Sequence, residues 1–282
     1  MIRLIASDLD GTLLDLPDSI SQVNIDAIEY AYQKGVKFCF ASGRNLSSVL
    51  HLSDLLKHQP LYLLSNGAEM YDENKNLLFQ SLLDNDCLED VCEILDQEQV
   101  NFFMYTTDGI FTRKEPTYVR EKIIECLVAM MGEGIREVVE NSKNKPCNNL
   151  IKIDDFDEFI ATKKILKIEG FDLSIEAIHR AKEKLKCFGK VSYLSTGRNN
   201  IEITSSTTSK GYALKKYCQI MEIQEDEVLV LGDSENDMSL FENFKYSFAP
   251  SNALEIIKEK AYQVSTSCQE HAVASVIYQM IK

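Results

Sequence analysis

Residues 4–15 read Leu-Ile-Ala-Ser-Asp-Leu-Asp-Gly-Thr-Leu-Leu-Asp, and the fold turns on them. Ile2, Leu4, Ile5 and Ala6 form an apolar run of buried-strand length that stops at two acids, Asp8 and Asp10, followed by Gly11 and Thr12. Central strands of parallel sheets read as short unbroken apolar runs. Open α/β sheets bind ligands at the carboxyl ends of such strands. Side chains alternate along extended backbone, so Asp8 and Asp10 lean the same way while Leu9 points elsewhere. Gly11 lets the chain turn close to whatever the acids hold. Two acids this near repel, and a cation between them is the natural remedy. Read alone, the stretch fits equally a site where one acid attacks phosphorus and the other moves a proton, and an ordinary acidic turn at a strand end.

Working outward, 18–35 reads as a helix. Ser19 or Ser21 can cap it, Val23, Ala27, Ile28 and Ala31 lie at helical spacing, and Gly35 follows its end. A second buried strand, 36–41, stops at Ser42-Gly43-Arg44. A helix with Leu46, Val49, Leu50, Ser53 and Leu56 along one side follows, and a third strand, 61–64, stops at Ser65-Asn66-Gly67-Ala68. Strands and helices alternating through short connections predict a parallel sheet with crossover helices. A hairpin over 69–79 comes next. From about Asp84 the pattern changes to hairpins, one joined through Asp108-Gly109, with helices over 117–131 and around Ile175 to Leu185. The stretch 132–149, rich in Gly, Asn, Lys and Pro, reads as the least ordered. At Lys210-Gly211 the helical period returns. Val228 to Leu231 is the most strand-like run of all and ends at Gly-Asp-Ser-Glu-Asn-Asp-Met, 232–238. The expected organisation is a Rossmann-like α/β core, 1–83 with 199–282, its parallel sheet covered by helices on both faces, and an inserted α+β cap at 84–198.

Composition narrows the function. With 45% hydrophobic and 26% charged residues among 282, the chain is an ordinary globular one, long enough for two domains. No stretch approaches the roughly 18 apolar residues of a membrane span, and the first residues lack a signal pattern. Eight scattered cysteines without a C-x-x-C pair fit reduced thiols better than disulfides or zinc. A cytoplasmic protein is expected. Its net charge of −14 argues against nucleic-acid binding, and makes an anionic substrate awkward unless a metal neutralises it locally. His51, His58, His179 and His271 sit in no metal spacing.

Four strand ends or helix starts now carry polar residues: Asp8 with Asp10, Ser42-Gly43-Arg44, Lys210, and Asp233 through Asp237. Taken singly, Ser42 is a helix cap, Lys210 a solvated lysine and Asp233 to Asp237 a capping turn. A structural reading of all four needs independent coincidences at one edge of one sheet.

This arrangement resembles the haloacid dehalogenase superfamily of phosphatases, and within it the Cof-type hydrolases with a large (type IIB) inserted cap. DLDGTLL (8–14), ASGRN (41–45), SKGYAL (209–214) and GDSENDM (232–238) match its four motifs, and SNGA (65–68) a further signature. The resemblance implies that Asp8 is the nucleophile and Asp10 the acid and base. It implies Mg²⁺ on the Asp8 and Asp233 carboxylates and the Asp10 carbonyl. Ser42, Gly43, Lys210 and Asn236 would hold the phosphate, Asp237 would orient Lys210 or a metal-bound water, and Arg44 would reach substrate beyond its phosphate. Thr12 and Asn66 would support the site.

Thr207, Pro250-Ser251 and Cys268 to Val273 depart from the usual loop sequences without removing a catalytic group. The expected activity is Mg²⁺-dependent hydrolysis of small phosphomonoesters, sugar phosphates first, by a monomer or weak homodimer whose cap selects the leaving group. The alternatives are a phosphomutase and a non-enzymatic phospho-ligand-binding regulator, the latter disfavoured because both Asp8 and Asp10 are present.

Overall fold

The structure, a computed structural model, describes residues 1–14, 19–141, 146–195 and 197–282. It divides into two compact units, Met1–Gln80 with Thr208–Lys282, and Ser81–Thr207. Before the crossing the chain forms β1 (Leu4–Ser7), β2 (Lys37–Ala41), β3 (Leu61–Leu64), β4 (Glu69–Tyr71) and β5 (Leu77–Gln80). The second unit holds β6 (Asn101–Thr106), β7 (Gly109–Thr112), β8 (Leu150–Lys152), β9 (Ile165–Phe171), β10 (Val191–Leu194) and β11 (Asn200–Ser205). On its return the chain forms β12 (Val228–Leu231), β13 (Tyr246–Ala249) and β14 (Gln263–Val264).

The first unit is one sheet in the order β14-β13-β12-β1-β2-β3-β4-β5. It is parallel from β14 to β3, and β4 and β5 add to it antiparallel. Its centre is apolar on both faces. Ile5, Phe38, Phe40, Leu229 and Leu231 pack with Ile28 and Ile277 on one side. Leu4, Ala6, Cys39, Val228 and Val230 pack with Leu214, Tyr217 and Leu240 on the other. Every residue of β12 is fully buried. Each such aliphatic side chain contributes about 1.5–3 kcal/mol, at least matching the roughly 1–2 kcal/mol of backbone entropy lost on ordering it. Polar chemistry is therefore confined to the strand ends. In the pairing, Ser7 stands beside both Leu231 and Phe40, so the chain leaves β1, β2 and β12 at a common edge.

The helix expected over 18–35 runs Gln22–Gln33, with Ser21 Oγ accepting from the Asn24 amide. Asp15 and the expected helix start at Asp18 lie outside the described residues. The single helix expected after Arg44 is a 3₁₀ turn, Leu46–Ser48, and a short helix, Leu50–Ser53.

The second unit is a six-stranded sheet, β10-β11-β9-β6-β7-β8, over a core that includes Leu88, Val91, Leu95, Phe102, Met104, Ile168, Ile178 and Ile201. The structure departs from the expected pattern in two places here. The stretch 132–149 contains a helix, Gly134–Asn141, whose Val139 is buried with Ile124 and Cys147; residues 142–145 lie outside the described residues. β8 runs parallel to β7, the helices between them carrying the chain back along the sheet. A further helix, Phe156–Thr162, is anchored by Phe159 against Phe111.

The unit boundaries also differ from 84 and 198. The Leu83 amide donates to the Ile165 carbonyl, and β11 pairs with β9 and β10, so both segments belong to the second unit. The hydroxyls of Ser81 and Thr207, at its two ends, lie 3.5 Å apart. No helix among the described residues is long and apolar enough to cross a membrane.

Candidate active site

Asp8 follows β1 directly and is buried. Asp233 follows the adjacent β12 by one residue, Gly232. Between their loops the backbone comes very close: Gly11 has φ +84°, and a Cβ there would lie 2.6 Å from Asp233 Oδ2. Only glycine combines that conformation with that approach. Thr12 Oγ1, buried beside it, donates to Asp233 Oδ1 at 3.1 Å.

Lys210 is the first residue of the helix Lys210–Ile220, which Ser209 caps through the Tyr212 amide. Its side chain is fully buried, and Nζ lies 2.7 Å from Asp8 Oδ1 and 2.7 Å from Asp237 Oδ1. Burial opposes the ammonium charge, but Asp237 and Asp8 outweigh it and raise the pKa. The other oxygen of Asp237 accepts from the amides of Asp233 and Ser234, at 3.0 and 3.2 Å. Asp237 therefore orients Lys210 and closes its own loop at once.

Asp8, Asp233 and Asp237 each bring a carboxylate oxygen within 4.8 Å of the others. Among the described residues three carboxylates face one lysine, an excess of negative charge. Burial, against the pull of Lys210 and reinforced by Asp237 and Asp233, holds the Asp8 carboxyl well above the usual carboxylate range. Burial and then Asp237 push Asp233 up from 3.8 to about 6, although Thr12 and Lys210 pull it down. An all-oxygen set with this charge excess fits a hard divalent cation. Both oxygens of Asp237 are engaged, so Asp8 and Asp233 are the better carboxylate ligands.

Asp10 is outside that group. Its side chain is 61% exposed and gripped by Arg44, whose Nε and second guanidinium nitrogen donate at 2.8 and 2.6 Å. Arg44, expected to reach toward substrate, is thus placed on the neighbouring acid, and only the Asp10 backbone carbonyl is left for a cation. Ser42 is buried and its Oγ accepts from the Arg44 amide at 3.2 Å. A Cβ on Gly43 would lie 2.9 Å from Asn66 Oδ1, and that same oxygen accepts from Asn236 Nδ2 at 3.2 Å. Ser42, Gly43, Asn66 and Asn236 therefore form one polar wall. Gly67 explains why the Asn66 turn sits there: its φ is +97°, and a Cβ would lie 2.3 Å from the Ser209 carbonyl at the cap of the Lys210 helix.

Asn252 was not among the sequence candidates. Its amide nitrogen donates to the Gly11 carbonyl at 2.8 Å while its oxygen accepts from the Cys268 amide at 2.8 Å. The Leu254 amide, two residues on, donates to the Asp233 carbonyl at 2.9 Å. The loop after β13 thus ties down both acidic loops. Its position at the same sheet edge was the available signal.

An acid buried at the end of a central parallel strand, joined through a buried lysine to a second acidic loop, defines an α/β protein with a site for a cation and an anionic ligand. The chain belongs to the haloacid dehalogenase-like hydrolases, a family it matches over residues 5–277. It is 28% identical over 288 residues to the 5-amino-6-(5-phospho-D-ribitylamino)uracil phosphatase YwtE of Bacillus subtilis, covering 99% of this chain and 98% of that one. It is 26% identical to phosphatase YwpJ of the same organism, over 99% of this chain and 100% of that one. A solved haloacid dehalogenase-like hydrolase from B. subtilis shares the fold with a TM-score of 0.87 at 24% identity, over 99% of this chain and all of that one.

Proposed function

We propose that this protein is a Mg²⁺-dependent phosphatase of small phosphomonoesters that works through an aspartyl-phosphate on Asp8. The carrying observation is Asp8 itself, buried at the end of β1 with one oxygen on Lys210 and a second acid, Asp10, two residues away. Asp8 Oδ attacks phosphorus and the ester P–O bond breaks as Asp10 gives its proton to the leaving oxygen. Asp10 then takes a proton from the water that attacks the aspartyl-phosphate, and Asp8 is released with inorganic phosphate. Lys210, held by Asp237, stays beside the reacting carboxylate and stabilises phosphoryl oxygens as their charge redistributes. Ser42, the Gly43 amide and Asn236 supply the neutral donors. Asp8, Asp233 and the Asp10 carbonyl would hold Mg²⁺, which when bound neutralises phosphate charge and orients it for in-line attack. Arg44 holds Asp10 in place.

Two relatives are named as phosphatases of a phosphorylated ribitylaminouracil, so that ester stands beside sugar phosphates in the proposed substrate class. The test is phosphate release from a panel of sugar phosphates, nucleotides, flavin mononucleotide and the ribitylaminouracil phosphate, with and without Mg²⁺. Turnover of a panel member that vanishes in Asp8→Asn and on chelation is expected. A folded protein that releases no phosphate from any member with Mg²⁺ present would overturn the reading.

A further inference from the structure

The second unit has a polar cluster of its own. Alternate residues of β6, β9 and β11 bring Phe103, Tyr105, Lys167, Glu169, Phe171 and Glu202 together on one side of its sheet. Phe102, Met104, Ile168, Ile201 and Ile203 point into the apolar core. Lys167 is buried, with Nζ 2.6 Å from Glu202 Oε2, 3.4 Å from Glu169 Oε2 and 4.5 Å from the centre of the Tyr105 ring. The Tyr105 hydroxyl donates to Glu169 Oε2 at 3.1 Å. One ammonium therefore serves two carboxylates, and Glu169 shares Lys167 with Glu202. Burial, against the pull of Lys167 and with repulsion from Glu202, raises the pKa of Glu169.

Glu169 is the member that meets open space. It lines a cavity of about 280 Å³ with Phe103, Phe171, Leu127 and Met130. The last two come from the helix Pro116–Met131, and the Phe103 and Phe171 rings stand 5.9 Å apart. Both bonds to Glu169 end on Oε2, so Oε1 is the acceptor it offers a ligand. Aromatic faces attract cations, and a carboxylate bonds most strongly to charged N–H donors. Among the described residues the cavity offers, besides Glu169, only the neutral groups of Gly197, Asn199 and Asn200 amid apolar walls, too little charge for a hard metal ion, which favours an organic ion.

We propose that this cavity binds a compact, flat organic cation, of the amidinium, guanidinium or protonated amino-heterocycle class. Its ring lies between Phe103 with Phe171 and Leu127 with Met130, and its N–H edge on Glu169. A free metabolite and the amine-bearing leaving group of a phosphate ester share this chemistry.

Titration calorimetry on the full chain, with benzamidine as probe and neutral benzamide as its isostere, tests the inference. Benzamidine should bind at least tenfold more tightly, and Glu169→Gln should erase the difference. Met130→Trp, which leaves the charged cluster untouched, should weaken both probes by filling the cavity. Equal affinity for the two probes, or a preference that survives Glu169→Gln, overturns the proposal. Should Glu169→Gln not fold, unchanged benzamidine binding in Met130→Trp overturns it. Repeating the titration with saturating orthovanadate and a turned-over phosphate ester separates the sources. Competition with the ester alone assigns the cavity to a leaving group, and indifference to both assigns it to a separate ligand.

Discussion

Mg²⁺ binding should tighten as pH rises from 5 to 7 and then level off. Asp233 sets the window, since its carboxyl is pushed from 3.8 to about 6 by burial and by Asp237. That gap corresponds to roughly 3 kcal/mol of preference for the protonated form in the folded metal-free protein. About one Asp233 in ten is ionised at pH 5 and about nine in ten at pH 7, so this residue alone weakens the metal about tenfold at the lower pH. Asp8, raised for the same reason, steepens the dependence. The sign for stability follows. A carboxyl raised in the folded state contributes stability that is fully present below 3.8 and is lost as pH climbs through about 6. The metal-free Tm should therefore fall across that window, and the rise in Tm on adding Mg²⁺ should grow across it. Calorimetric titrations in two buffers of different ionisation enthalpy give both Kd and the protons released, expected to be about one or more at pH 5 and to fall as pH rises. Asp233→Asn should flatten the profile. A Kd that is the same at pH 5 and pH 7, or tighter at pH 5, would refute the reasoning.

Asp8→Asn should lower turnover by at least a thousandfold, yet leave Tm unchanged or higher because a strained buried carboxyl is gone; more than a tenth of wild-type turnover sinks the covalent route. Asp10→Asn should be impaired most on alkyl phosphates and least on aryl esters with good leaving groups, a contrast read from kcat/KM on a graded ester series. Lys210→Met leaves Asp8 and Asp237 facing each other without their cation, and should cost about 3–5 kcal/mol by denaturant unfolding at pH 8, less at pH 5. Gly67→Ala should destabilise by about 1–3 kcal/mol from its positive φ alone, with more from the clash at Ser209; a neutral effect would mean the turn relaxes freely.

The strand ends were readable because each carries two independent signals, an apolar run that must be buried and a polar stop. β1, β2, β3 and β12 all have both, and all fall at one edge. Pairings between distant segments were not readable in this way. Nothing local tells Arg44 to turn onto Asp10; that follows only once β1 and β2 lie side by side with Ser7 against Phe40. The parallel partner of β7 was likewise hidden, because a three-residue strand such as Leu150–Lys152 is too short to show which neighbour it takes. The helix Phe156–Thr162 is short for a periodic signal, and its aromatic residues read equally well as loop anchors. Asn252 had only its place at the sheet edge to mark it, because its work is done through backbone groups of Gly11 and Cys268, which leave no mark on side-chain pattern.

The adjacent hydroxyls of Ser81 and Thr207 carry a consequence for how such a chain can change. A segment whose two ends meet imposes the same boundary on its host whatever its length, because loop-closure entropy grows only slowly with chain length. The host sheet loses no strand when the segment is replaced. Both ends of the segment meet at one point outside the host sheet, so a change in its length need not displace the acids of β1 and β12.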